Sequence, residues 1–207
     1  MRGIIAGTQL TDSPDRRESP FQLTDGNLHS SSIYKLLRAT DGDPSSSAAF
    51  TWRNRAPPRV QFFTWLLLND RIQCKANLQK KAIVTDATCE TCSCARETAA
   101  HIMFHCPYAQ AFWAAIGVRI SPDQRVDDLQ QIQRPTCVHA DHSKCFTILC
   151  CWMLWKRRNG VVFKGEQKDL RALLQNCRDE ARLWGCRLPR SAVGVCDTWC
   201  STFVNAM

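Results

Sequence analysis

The sequence predicts a mainly α-helical protein, a small zinc-nucleated helical domain followed by an antiparallel helical pair. Two observations carry that prediction. Apolar residues recur at helical spacing in four separate segments, around residues 60–68, 109–116, 148–155 and 170–184. Between the first two segments lies Cys89-Glu-Thr-Cys92, followed by His101 and Cys106, an array with the ligand types and ligand count of a closed structural zinc site.

The elements follow in chain order. Residues 1–30 are rich in Ser, Thr, Asp and Pro, show no sustained period and read as a mobile leader. A short Ser-capped helix is expected over Ser32–Arg38, and Asp41–Ser47 reads as a loop. The chain changes character at Ala56-Pro57-Pro58, where proline suits a first helical turn. Beyond it, Val60, Phe63 and Leu67 form one stripe, and Phe62, Trp65 and Leu66 form its neighbour. A helix apolar over so much of its surface belongs in a core. Asn69-Asp70 ends it, and a second short helix is expected over Gln73–Lys81.

Pro107 opens the next helix, with Ala109, Phe112, Trp113 and Ile116 on one face and Gly117 as its stop. Residues 119–141 read as a linker. Ile148, Cys151, Trp152 and Trp155 then give one stripe, and Leu170, Leu173, Leu174, Cys177, Ala181 and Trp184 a longer one. Two such helices joined near Asn159-Gly160 pack as an antiparallel pair over residues 142–187. Residues 188–207 read as a Pro/Gly-punctuated tail. The first domain is accordingly drawn over residues 31–118.

The Cys/His array has rival readings. Thirteen cysteines in 207 residues make chance Cys-x2-Cys pairs common, and a buried free cysteine behaves as a small apolar residue. Cys94 and His105 compete as ligands. His101 and His105 share a helix face, four residues apart. His101 and Cys106, five apart, meet only where the helix ends between them, which Pro107 favours. Four protein ligands leave no position for water, so such a site holds shape rather than doing chemistry. Glu90 and Glu97 lie beside it without an activated water to serve. A second set, Cys137-x-His139-x2-His142-x2-Cys145, sits in the polar linker region with tight spacing.

Charge points to a partner. The formal net charge is +8, with a sequence pI near 9.0, which favours an acidic partner and nucleic acid first. Between Trp52 and Lys81 stand Arg53, Arg55, Arg59, Arg71, Lys75, Lys80 and Lys81 against a single acid, Asp70. Basic residues flanking aromatic ones suit phosphate contact with base stacking, the alternative being a solvated face around a buried helix. Lys156-Arg157-Arg158 suits phosphate contact, nuclear import or a solvated helix end. The most apolar run, Phe146 to Trp155, is about half the length of a membrane span, so no membrane is expected. The odd cysteine count, without a secretory signal, favours a reducing compartment, nuclear or cytoplasmic. No phosphate-binding glycine loop is found, and no catalytic role is expected.

The order of these residues carries a resemblance. Trp52…Ala56-Pro57…Phe63-x-Trp65-Leu66…Leu78…Cys89-x2-Cys92…Glu97-Thr98-x2-His101…Cys106…Phe112-Trp113 resembles the zinc-binding domain that follows reverse transcriptase in plant non-LTR retrotransposons. Trp152-x2-Trp155-Lys156-x-Arg158-Asn159-x3-Phe163 is similar to the segment that often follows that domain. The resemblance covers roughly residues 30–186. It implies Zn2+ held by Cys89, Cys92, His101 and Cys106. It also implies a non-catalytic module acting on element RNA or target DNA, with a reverse transcriptase domain as a partner in trans. The chain departs from a whole element in lacking a paired-aspartate polymerase motif and a ribonuclease H domain, which makes it a detached module. The alternatives are a zinc-stabilised interaction scaffold, presenting the Leu170–Trp184 stripe to a partner, and a degenerate retroelement fragment without function.

Overall fold

Proline and glycine stereochemistry sets the helix boundaries. The computed structural model describes residue 31, residues 46–189, residue 192 and residues 194–207. The leader expected over 1–30 and the helix expected over Ser32–Arg38 lie outside the described residues. Residues from Ser45 to Met207 form one unit. Its elements are α1 (Ser46–Trp52), α2 (Pro58–Leu68), α3 (Lys75–Lys80), a π-helical turn (His101–His105), α4 (Pro107–Ala115), a 3-10 turn (Leu129–Gln131), α5 (Ala140–Lys164), α6 (Leu170–Gly185) and α7 (Val195–Asn205). The mainly α reading holds, and β structure among the described residues amounts to the isolated antiparallel bridge Thr88–Arg96.

Helices α2 and α4 begin on proline, whose fixed φ suits the first turn and whose missing N–H is not needed there. His139 and Asp169 cap α5 and α6 by accepting the backbone N–H two residues on. The joint expected near Asn159-Gly160 falls later, because α5 runs through Gly160 to Gly165. Gly165 takes the left-handed conformation, φ 63°, that a side chain disfavours. The N–H groups of Gly165 and Glu166 both donate to the Gly160 carbonyl. The Glu166 side chain folds back over Gly160, so a Cβ there would displace its carboxylate end.

Helices α5 and α6 form the expected antiparallel pair, and its stripe is consumed internally. Leu173, Leu174, Cys177, Ala181 and Trp184 are all buried, which removes that stripe as a docking face. The segment expected as a tail instead forms α7, packed along α6. Trp199 and Phe203 are fully buried, with rings 5.7 and 5.4 Å from Phe146 of α5. Their spacing of four residues puts both on one helix face, which covers apolar surface that the pair alone leaves open. The expected linker is also packed, with Leu129 and Val138 buried.

The boundary drawn between residues 118 and 142 does not separate two cores. Phe63 of α2 packs its ring against Trp152 and Trp155 of α5, at 5.3 and 6.1 Å, and one buried cluster runs from Phe50 to Phe203. Helix α2 itself differs from expectation. Its buried residues are Val60, Phe63, Thr64 and Leu67, whereas Phe62 is 54% exposed and Trp65 half-buried. A single helix on the edge of the core has one side facing solvent, and Phe62 and Trp65 of the second stripe lie there while Leu66 packs against the core.

Candidate metal centre and basic surface

The first two donors sit on a tight turn. The N–H of Glu97 donates to the Ala87 carbonyl at 2.7 Å, and the N–H of Cys89 to that of Ala95 at 2.9 Å. Ser93 turns the chain between them with φ 58°, and its N–H closes onto the Cys89 carbonyl at 2.8 Å. This knuckle places the sulfurs of Cys89 and Cys92 side by side. The other two donors come from the next element. Thr98 Oγ1 accepts the His101 N–H at 3.0 Å and starts the turn.

That turn resolves the five-residue spacing. The helix ends between His101 and Cys106, as expected, and its last turn is a wide π turn in which the Cys106 N–H donates to the His101 carbonyl at 2.8 Å. Residues five apart thus face the same side. Cys106 then adopts an extended conformation, ψ 132°, as a residue before proline should. Trp113 holds the turn in place by donating its indole N–H to the Met103 carbonyl at 2.7 Å.

The donor atoms of Cys89, Cys92, His101 and Cys106 lie within 4.8 Å of one another, with His101 Nε2 3.4 Å from Cys92 Sγ. A tetrahedral ion bonded at about 2.0–2.3 Å separates neighbouring donors by roughly 3.5–3.8 Å, so the cluster fits one ion. Cys89, His101 and Cys106 are buried and Cys92 is partly so. The Cys106 thiol hydrogen-bonds Cys89 and holds it far below the ordinary thiol range. The same contact pushes the Cys106 thiol up, so the two sulfurs share a proton that a metal ion would displace on binding both as thiolates. Neither rival joins the cluster. His105 Nε2 turns 3.1 Å from the Gln124 carbonyl, and Cys94 is exposed.

The second Cys/His set does not converge among the described residues. Cys137 Sγ contacts Thr202 Oγ1 at 3.2 Å, Cys145 is buried, and the rings of His139 and His142 stand 6.4 Å apart.

A buried ion pair ties the knuckle to α5. Glu97 and Arg158 are 0% and 4% exposed. Glu97 Oε1 accepts from Arg158 Nε at 3.1 Å, from Arg158 Nη2, and from the Lys75 N–H at 2.9 Å. Trp155 and Phe163 flank the guanidinium at 5.2 and 5.8 Å. Sequence reasoning left Glu97 idle and Arg158 in an accessible basic run. A salt bridge spanning 61 residues has no local signal. The rest of that run is engaged as well. Arg157 is buried against Glu166 and the carbonyls of Gln167 and Asp169, and Lys156 meets Glu180 at 3.1 Å. Arg157 and Arg158 are therefore internal connectors, and Lys156 stays on the surface, paired with Glu180.

The basic window divides in two. Arg53, Arg55, Arg59 and Arg71 are exposed. Lys75 is only 14% exposed along its side chain and pairs with Glu90 at 2.6 Å. Lys80 lies 3.5 Å from Asp70, and Lys81 bonds Gln73 at 3.3 Å. Folding also brings Glu180 within 3.6 Å of Arg59. The single acid counted in sequence is joined by Glu90 and Glu180 in space, and the exposed charge without an acidic partner narrows to Arg53, Arg55, Arg71 and Lys81, whose partner Gln73 is neutral.

A closed Cys3His cluster on a knuckle and a wide turn defines a structural metal module. Residues 28–113 match the family model described as zinc-binding in reverse transcriptase. Over 204 aligned residues, 89% of the chain is 24% identical to an Arabidopsis thaliana protein named provisionally as a ribonuclease H protein. The chain spans 30% of that relative's length. No solved structure matches the chain.

Proposed function

We propose that this chain is a non-catalytic zinc-binding module that binds RNA or DNA beside a reverse transcriptase. The carrying observation is the four-donor cluster of Cys89, Cys92, His101 and Cys106, whose two buried cysteines belong to the hydrophobic core. Thiolate and imidazole donors suit zinc better than harder cations. Cys89, Cys92, His101 and Cys106 would hold the ion, whose contribution is folding free energy. No coordination position remains for a water that attacks substrate. Exposed Arg53, Arg55, Arg59 and Arg71 supply phosphate contacts, with net charge +8 supporting attraction to a polyanion.

The name of the Arabidopsis relative attaches to a protein more than three times as long, and its activity is assigned here to parts beyond the matched region. An assay of the purified chain on an RNA–DNA hybrid tests that assignment, and metal-dependent cleavage that co-elutes with the chain through successive purification steps would overturn it. The binding reading is tested by mobility shift across a salt series. Affinity for nucleic acid should fall linearly in log–log form, whereas binding absent at every salt would end the reading.

A further inference from the structure

Helix α2 carries an aromatic stack on its solvent side. The Phe62 ring lies 5.9 Å from that of Trp65, inclined by only 19°. The Arg71 guanidinium sits 5.9 Å from the Trp65 centroid, within cation–π reach. The core uses the other side of the helix, through Val60, Phe63, Thr64 and Leu67. Phe62 is left 54% exposed, with ring surface available to extend the stack. Cations border it along the chain. The Arg59 side chain, one helical turn earlier, is 67% exposed, and Arg71 follows the helix. Asp70 is paired with Lys80, and Glu180 with Lys156 as well as Arg59.

We propose that Phe62 and Trp65 form a stacking platform for a base of a single-stranded nucleic acid, with Arg59 and Arg71 serving its phosphates. This rests on the nucleic-acid reading above and adds which form of the polymer is held. Near-parallel rings extended by a guanidinium match the flat face of a base, and flanking cations match the backbone on either side. A duplex hides its base faces within its own stack, so it meets only the cations. An apolar protein surface would gain from the rings but not from the charges around them.

The test uses the full zinc-loaded chain and three labelled probes: an unpaired pyrimidine strand, the same strand as a duplex, and an abasic strand of equal length, each as RNA and as DNA. The parent should prefer the unpaired strand. Phe62→Ala should weaken that binding about 5- to 150-fold, the range for one stacked base. Its affinity for the abasic strand and its salt slope should not change, because no phosphate contact is lost. Phe62→Tyr should retain binding and Phe62→Leu should not, a contrast that holds even where the alanine variant loses stability. Leu behaving as Tyr, or equal losses on the unpaired and abasic strands, would overturn the platform while leaving salt-dependent binding intact. Strand binding kept by Phe62→Ala, with loss of contact to a reverse transcriptase polypeptide, would give this face to a protein instead. A parent that binds no strand at any salt removes the functional reading itself, and the platform with it.

Discussion

At the scale of single residues, burial and partnership decide what each side chain is worth. Cys89 is one of four residues whose donor atoms converge, and if they hold the proposed ion, Cys89→Ser should drop the metal content measured by native mass spectrometry from one ion per chain to none. A variant that retains its ion would transfer the ligand role elsewhere. Glu97 and Arg158 make the opposite kind of test. Arg158→Met alone should cost about 3–5 kcal/mol in chemical denaturation at fixed free zinc, since it strands a buried carboxylate. Adding Glu97→Gln should recover part of that loss, because the second change removes the orphaned charge. Equal losses in single and double variants would mean that packing against Trp155, rather than charge, carries the effect. Trp65 is half-buried, so Trp65→Ala should cost about 1–2 kcal/mol, below the ~3–5 typical of a fully buried aromatic such as Trp113.

At the scale of elements, the π turn and α7 show how a helix serves its neighbours. An ordinary α-helical turn would set His101 and Cys106 well apart around the axis, whereas the wider turn brings them to one side. Its four buried residues, His101 to Phe104, allow it to sit inside the core where a frayed helix end could not. Helix α7 closes the α5–α6 pair by adding a third apolar face. Trp199→Ala should therefore destabilise the protein by about 3–5 kcal/mol, as for other large core aromatics. A thermal melt unchanged by that substitution would return residues 195–207 to the role of a dispensable tail.

At the scale of the molecule, one core links the knuckle to the helical bundle. Phe63 reaches Trp152 and Trp155, and Glu97 reaches Arg158. Removing the metal with a strong chelator should consequently loosen α5 as well as residues 70–117, in a single transition. Hydrogen exchange before and after chelation measures this, and protection kept in α5 while the knuckle opens would mean two independent units. The charged surface belongs to the same scale. Replacing Arg53, Arg55 and Arg59 together with Gln should flatten the slope of log affinity against log salt by about 2–3, at roughly 0.7–0.9 per phosphate contact. Folding should be little affected, since exposed charges contribute little to stability. An unchanged slope would take these arginines off the binding surface.

What the sequence determined by itself is what depends on neighbours along the chain. Helical periodicity located α2, α4, α5 and α6, because a 3.6-residue repeat is written into local spacing. The Cys89-x2-Cys92 knuckle and the extended Cys106 before Pro107 were equally local. Tertiary structure decided whatever depends on a distant partner. It selected His101 and Cys106 over His105 and Cys94 through a π turn braced by Trp113. It drew Arg157 and Arg158 out of an apparently free basic run, and gave Lys75 to Glu90. It exposed Phe62 of the second α2 stripe while packing Leu66 on the core, and turned an expected tail into α7. The reason is common to all of these. Spacing reports which face of an element is apolar, but whether that face is covered, or that charge neutralised, depends on surfaces brought together from opposite ends of the chain.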